Sequence, residues 1–277
     1  MKELNRNIHD FFYTLLALPR AWRFIRHYKL WDGLKEYKWV FRFLIVVAGL
    51  AGLYLLFEYD DWADDHRDDG FVSYFVGSDS LVATIGSETY DSLTDGALKW
   101  IILILLEVVI YHFMRSTLKI VLGKDMPDAH TFKPFLEAQK RMIKVSAVAY
   151  GIEALFVEGL FDTIFAILPF LRWSESFFVL ALQSALLGFA IIDNYNEQFQ
   201  LQINQSLRYA VSKYSGIMLG LGLPLFLILK VPFLGAIFGP VLVAVTAGIV
   251  MKELGDLHTV GYIPSKSELK KIKKKKA

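Results

Sequence analysis

The sequence contains no cysteine in its 277 residues. This absence excludes a disulfide framework, a cysteine-bound zinc, a c-type haem attachment and a thiol nucleophile. The motifs of common enzyme classes are also missing: there is no His-Glu-x-x-His string, no Gly-x-Ser-x-Gly elbow, no P-loop and no dinucleotide fingerprint. We therefore predict that the protein is not an enzyme and uses neither a cofactor nor a bound metal.

Apolar residues, in contrast, are abundant. They make up 55% of the chain, aromatic residues make up 15%, and the mean hydropathy is +0.40. A soluble domain of this size usually has a lower apolar content. The composition therefore predicts an all-α integral membrane protein whose main partner is the lipid bilayer.

Polar or basic segments separate six apolar runs, and a helix needs ~20 apolar residues to cross ~30 Å of hydrocarbon. The first two runs are long enough to form long transmembrane helices. The other four are expected to form two helical hairpins that enter from the cytoplasm. The fifth run gives only ~22 Å of helix, so the sequence leaves open whether the hairpins cross fully or penetrate partway. The runs cover about 39–57, 97–120, 145–171, 177–192, 215–229 and 233–250.

Basic residues cluster before the first span and at the end of the chain. Because Lys and Arg in short loops mark the cytoplasmic side, we expect a multi-pass membrane protein with both termini in the cytoplasm. The loop 58–96 contains eleven Asp and Glu residues but only one Arg. It is expected to be external and solvated, and it offers a docking site for a protein partner.

Three parts follow from this pattern: an amphipathic interfacial segment, 1–38, a single transmembrane domain, 39–257, and a polybasic cytoplasmic tail, 258–277. The tail lysines are expected to contact anionic headgroups. No nucleic-acid partner is expected, because no aromatic or folded module accompanies them. The first part is expected to form a helix in the inner interface, with an apolar face made of Phe11, Leu15, Leu18, Trp22 and Ile25.

Short motifs mark the last third of the chain and the segment before the first span. They are Asp193, Asn194 and Tyr195; Ser206, Leu207 and Arg208; Val231 to Gly235; Gly239 and Pro240; and Gly33, Leu34 and Lys35. Together they resemble the CysZ-type sulfate permeases, a family that includes the etoposide-induced membrane proteins. Members of that family carry a Gly-Leu-Arg string where Gly33, Leu34 and Lys35 stand here.

The resemblance implies two long transmembrane helices, two hairpins that enter from the cytoplasm without crossing fully, and assembly of identical chains. It also implies channel-like entry of sulfate across the inner membrane. Lys35 replaces the family's arginine and lacks the bidentate fork that suits a tetrahedral oxyanion. The expected substrate is therefore sulfate or a related small inorganic anion.

The segment from Gly33 to Lys38 is one candidate anion-binding site. Its glycine opens backbone amides at a helix start, where the helix dipole favours an anion, and nearby lysines add positive charge. The alternative is that these lysines only form the basic flank of the first span. The candidate residues are Gly33, Leu34, Lys35 and Lys38.

Polar residues within the apolar runs or between them are the candidates for an ion pathway, because such residues are costly in a membrane. Three interpretations remain open: structural pairing or contact with interfacial water, a cation or proton pathway, and anion gating. Pairing with cations such as Arg208 or Lys144 would reduce the repulsion that these carboxylates exert on an anion. The candidates are Glu107, His112, Glu153, Glu158, Asp162, Asp193 and Arg208.

These observations lead to one main functional hypothesis and two alternatives. The main hypothesis is an oligomeric inner-membrane permease for sulfate or a related small anion. The first alternative is a non-transporting membrane scaffold that docks partners through the acidic loop 58–96. The second is a cation or proton pathway lined by the intramembrane carboxylates.

Overall fold

The computed structural model describes residues 2–32, 98–123, 132–230 and 234–261. Within these ranges the chain is all-helical and contains no strand, as the sequence predicted. The first predicted span, the acidic loop 58–96 and nearly all of the tail lie outside the described residues, as does the candidate segment from Gly33 to Lys38.

Two short irregular turns interrupt the helices. A π-helical turn, Leu155–Phe161, joins α3 to α4, and a 3-10 turn, Pro169–Ser174, joins α4 to α5. The second turn lies where the first hairpin was predicted to reverse. The helices are α1 Lys2–His27, α2 Leu98–Leu122, α3 Phe132–Ala154, α4 Asp162–Ile167, α5 Glu175–Gln198, α6 Ile203–Lys213, α7 Ser215–Leu229, α8 Leu234–Leu254 and α9 Leu257–Val260.

The helices α7 and α8 lie at the centre of the bundle. Helix α5 packs along α7, α2 packs along α8, and α1 crosses both central helices, while α3 lies against α2 and α5. The central position follows from composition: α7 carries no charged residue, and the only charges of α8 are Lys252 and Glu253 in its last turn. A helix that is apolar all round is buried by its neighbours.

Glycines bring α5 and α7 into direct backbone contact. A Cβ atom on Gly188 would lie 1.8 Å from the carbonyl oxygen of Met218, and one on Gly222 would lie 1.6 Å from that of Ser184. This order of contacts shows that α5 and α7 run antiparallel. The α4–α5 turn therefore lies at the same end of the bundle as the end of α7 at Leu229.

That end of the bundle presents large apolar side chains to its surroundings. Phe170 is 71% exposed and Trp173 is 82% exposed, and Ile167 and Phe177 are similarly open. Polar contacts lie at the opposite end, around the C-terminus of α8. We call the two ends the apolar end and the polar end.

The packing of α1 differs from the face predicted for it. Thr14, Ala17 and Ala21 are buried against the central helices together with Ile25, whereas Trp22 is 42% exposed. Small side chains allow this close approach, so the tightly packed face is not the one with the largest apolar residues. The opposite side of α1 exposes a further apolar stripe of Leu4, Ile8, Phe12 and Leu16.

One helical stretch in the described ranges, Arg172–Gln198, is long and apolar enough to cross a membrane. Helices α6 and α7 satisfy the same test only as a pair, and their axes meet at 100°. The bend falls at Tyr214, between the two helices. The predicted layout of two crossings and two hairpins stays a prediction.

Candidate functional site

A buried group of polar side chains lies where α2, α3 and α5 meet. Such groups are costly inside a bundle unless they bond to each other, and they concentrate the chemistry that the apolar helices lack. We call this group the polar cluster. Its members are Glu107, Tyr111 and Arg115 of α2, Gln139 and Arg141 of α3, and Asp193, Asn194, Glu197 and Gln198 of α5.

Arg141 and Asp193 form the strongest contact in the polar cluster. The guanidinium donates from Nε to Oδ2 and from Nη2 to Oδ1, each at 2.8 Å, and from Nη1 to the carbonyl oxygen of Leu201 at 2.5 Å. Glu197 adds a carboxylate oxygen 3.8 Å from Nε. Only 4% of the Asp193 side chain is exposed. This bidentate, charge-assisted pair therefore compensates a carboxylate that has almost no contact with solvent.

Glu107 is the most enclosed carboxylate of the polar cluster, with 1% exposure. Its Oε2 accepts a hydrogen bond of 3.2 Å from Nδ2 of Asn194, which also donates to the carbonyl oxygen of Ala190. The donor is a neutral amide, and the charges that act on Glu107 from a distance are those of Glu197, Asp193 and Arg141. Glu107 is therefore held by a hydrogen bond rather than by a direct ion pair in the described part of the chain.

Several polar atoms of the polar cluster have no hydrogen-bond partner among the described residues. They include Nη2 of Arg115, Oδ1 of Asn194 and Oε1 of Gln139, all of which are shielded from solvent. The Tyr111 hydroxyl lies within hydrogen-bonding reach of Arg115, so one part of this guanidinium is engaged. The remaining donor and acceptors can hold water or a small ion, because each buried polar atom gains from a partner.

The other candidate residues are distributed along the bundle. Glu153 of α3 accepts a hydrogen bond of 2.7 Å from Gln183 of α5. His112 places Nε2 3.3 Å from the carbonyl oxygen of Leu30, and Arg208 is exposed on α6. The structure thus brings together Glu107 and Asp193, but not these three. The side chains of Glu158 and Asp162, and the whole of Gly33, Leu34, Lys35 and Lys38, lie outside the described residues.

The sequence interpretation missed Arg115, Tyr111 and Arg141. Glu107, Tyr111 and Arg115 are spaced by four residues, which places them on one face of a helix, so this spacing was the available signal. Arg141 lies within α3, outside the apolar runs of the sequence. The cation that pairs with Asp193 is therefore Arg141, a residue that the sequence had not suggested as a partner.

A second polar site fastens the polar end of the bundle. Asp256 accepts hydrogen bonds from the hydroxyls of Tyr209 and Tyr214, at 2.5 and 2.6 Å, and from Nζ of Lys213 at 3.0 Å. Partial burial opposes ionisation of Asp256, but these three bonds outweigh it and lower its pKa to about 2. The carboxylate ties the segment after α8 to the bend at Tyr214. We call these four residues the Asp256 latch.

The chain matches no protein-family model, no curated protein and no solved structure. The resemblance to the sulfate permeases therefore rests on the short motifs alone and remains a prediction.

Proposed function

We propose that this chain is a multi-pass protein of the bacterial inner membrane that assembles with copies of itself and lets sulfate or a related small anion cross. The observation that carries the proposal is the buried Arg115, whose Nη2 has no partner within the described ranges. It lies in a helical bundle with a widely exposed apolar end.

Two features support a membrane location: the exposed apolar side chains at the apolar end and the close packing of helices through glycine. Side chains such as Phe170 and Trp173 at the apolar end would leave a large apolar patch in water, and such patches mark membrane or protein contacts. Close backbone contact through Gly188 and Gly222 is the packing mode that membrane helices favour. In lipid, both features lower the free energy of the folded chain.

Selectivity for an anion is supported by the guanidinium groups. An arginine fork matches the geometry of an oxyanion, and a buried charge in a membrane protein marks a substrate or ion pathway. Arg141 already compensates Asp193, so part of the repulsion that the carboxylates would exert on an anion is removed. Arg115 is the cation that retains a donor for a passing substrate.

Uptake of labelled sulfate into proteoliposomes tests the transport proposal. The purified chain should give uptake above that of protein-free liposomes, and Arg115→Gln should reduce it about tenfold or more, because a charge-assisted hydrogen bond contributes ~1.5–3 kcal/mol. Arg172→Gln, at an exposed position of the hairpin turn, is the matched control and should transport like the wild type. Wild-type uptake equal to that of empty liposomes would refute the transport proposal.

A separate measurement tests membrane location alone. In reconstituted vesicles the fluorescence of Trp173 should be shielded from aqueous iodide and quenched by brominated lipid, since the apolar end is expected to enter the bilayer. Subtracting the signal of the Trp173→Phe variant gives the share of the fluorescence that comes from Trp173. Full quenching of that share by iodide would place the hairpin turn in water and contradict insertion.

A proton or cation pathway is the second candidate, and Glu107 is the observation that favours it. The polar cluster contains three carboxylates but two guanidinium groups, so Glu107 is left without an ion-pair partner among the described residues. A buried carboxylate in this position is suited to exchange a proton. Proton flux that is lost in Glu107→Gln, together with sulfate uptake no greater than that of empty liposomes, would favour this candidate over the anion permease.

A further inference from the structure

An apolar groove lies on the surface between α1 and α8. It encloses about 250 Å³ and is lined by Trp22, Ile25, Phe238, Val241 and Leu242. The rings of Trp22 and Phe238 meet edge to face with centroids 6.5 Å apart, and each of the two residues is 42% exposed. The groove is therefore accessible from outside, and its walls offer no polar group to a ligand.

Two basic residues follow the groove residue Trp22 along the chain. Arg26 follows Trp22 by four residues on α1, so both lie on the same side of the helix, and Lys29 lies in the turn after the helix end at His27. Both side chains are exposed, and neither has an ion-pair partner within the ranges that the structure describes. The surface thus combines an apolar groove with adjacent uncompensated positive charge.

We propose that the groove binds one acyl chain of an anionic phospholipid in the leaflet that the apolar end reaches, and that the phosphate of this lipid contacts Arg26 and Lys29. Apolar walls suit a hydrocarbon chain, and basic side chains next to such walls attract anionic headgroups. A second protein chain fits less well, because a stable interface buries roughly 800 Å² per partner, far more than five side chains supply. The inference rests on the membrane location proposed above, but it is independent of anion transport.

Quenching of tryptophan fluorescence by brominated lipids tests the site. The full chain, purified in detergent, is titrated with brominated phosphatidylglycerol and brominated phosphatidylcholine, and the Trp22 share is obtained by subtracting the Trp22→Phe signal. Phosphatidylglycerol should quench that share at lower concentration than phosphatidylcholine. The double variant Arg26→Gln/Lys29→Gln should weaken binding roughly 30-fold, since each basic side chain adds about fivefold to the affinity for an anionic surface.

Matched variants separate the groove from the general belt of detergent and lipid. Arg23→Gln removes the same charge from the neighbouring face of α1 and should bind like the wild type. Leu242→Trp fills the groove at a partly buried position and should abolish the lipid-specific quenching while leaving the thermal unfolding temperature nearly unchanged.

Three results would overturn the proposal: no quenching of the Trp22 share, equal quenching by both lipids, or an unchanged affinity in the double variant. An oligomer that dissociates when Trp22 is replaced by alanine, with no lipid quenching, would assign the groove to a second copy instead. Failure of this proposal is distinguishable from failure of the proposed function, because sulfate uptake is measured separately and should persist in the double variant.

Discussion

The substitution Gly222→Ala should destabilise the protein strongly for so small a change. The new Cβ atom would lie 1.6 Å from the carbonyl oxygen of Ser184 and 2.8 Å from the backbone nitrogen of Gly188. Both neighbours are backbone atoms of α5, so no side-chain rotation relieves the contact. The helices α5 and α7 would have to separate by roughly 1.4 Å to restore the shortest spacing that real Cβ atoms show.

The size of the effect follows from two opposing contributions. Overpacking in a core costs about 1–3 kcal/mol, and occasionally more, and a clash between two backbones belongs at the upper end of that range. Alanine favours a helix over glycine by about 1 kcal/mol, which offsets part of the cost. The net loss of about 2 kcal/mol corresponds to a decrease in Tm of roughly 4–8 °C for a chain of this size.

Thermal unfolding in detergent, followed by circular dichroism, measures this effect. Gly151→Ala is the matched control, since Gly151 is also in a helix but has no atom within 4 Å of the position of its Cβ. The control should melt at the wild-type temperature or slightly above it. If Gly222→Ala melted together with the control, α5 and α7 would not be in the direct contact described here, and the reasoning would fail.

Two further predictions concern the polar contacts. Arg141→Ala should lower the free energy of unfolding by about 3–5 kcal/mol, because it leaves the buried Asp193 unpaired. The double variant Arg141→Ala/Asp193→Ala should recover part of that loss. Equal melting temperatures of the single and double variants would contradict the pairing. For Asp256, the pKa near 2 in the folded state lies below the unfolded value of about 3.9, so its stabilisation is complete above about pH 4 and disappears as the pH falls through about 2. The difference in Tm between the wild type and Asp256→Asn should therefore disappear over that range. A difference that does not vary with pH would refute the low pKa assigned to Asp256 in the folded state.

The helices themselves were predictable from the sequence, because an apolar run of helical length indicates a buried helix. The fifth run, 215–229, coincides with α7, and the hairpin turn near Pro169 lies where a proline and charged residues interrupt the apolar pattern. The face of α1 was not predictable in the same way. Its sequence carries apolar residues on more than one side, and the small residues Ala17 and Ala21, which give little hydropathy signal, decide which side packs inward.

The candidate site was predictable only in part, for a related reason. Hydropathy identifies Glu107, which interrupts an apolar run, and Asp193, which directly follows the end of one. It does not identify their partners, because Arg141 is 52 residues from Asp193 along the chain and becomes its neighbour only when α3 and α5 pack together. The amide donor Asn194 was named only as part of a family string. Pairing of this kind depends on the tertiary fold rather than on local composition.

The π-helical turn at Leu155–Phe161 has a consequence for how related chains would diverge. A π-helical turn arises where one extra residue is accommodated within an α-helix, and each residue of an α-helix accounts for about 100° of rotation. The π-helical turn can absorb a change of one residue, whereas the same change in the regular part of α3 would rotate the hairpin turn and the start of α5 relative to the rest of α3. A one-residue change in the length of regular α3, without any change in side-chain chemistry, would alter which aromatic residues the apolar end presents.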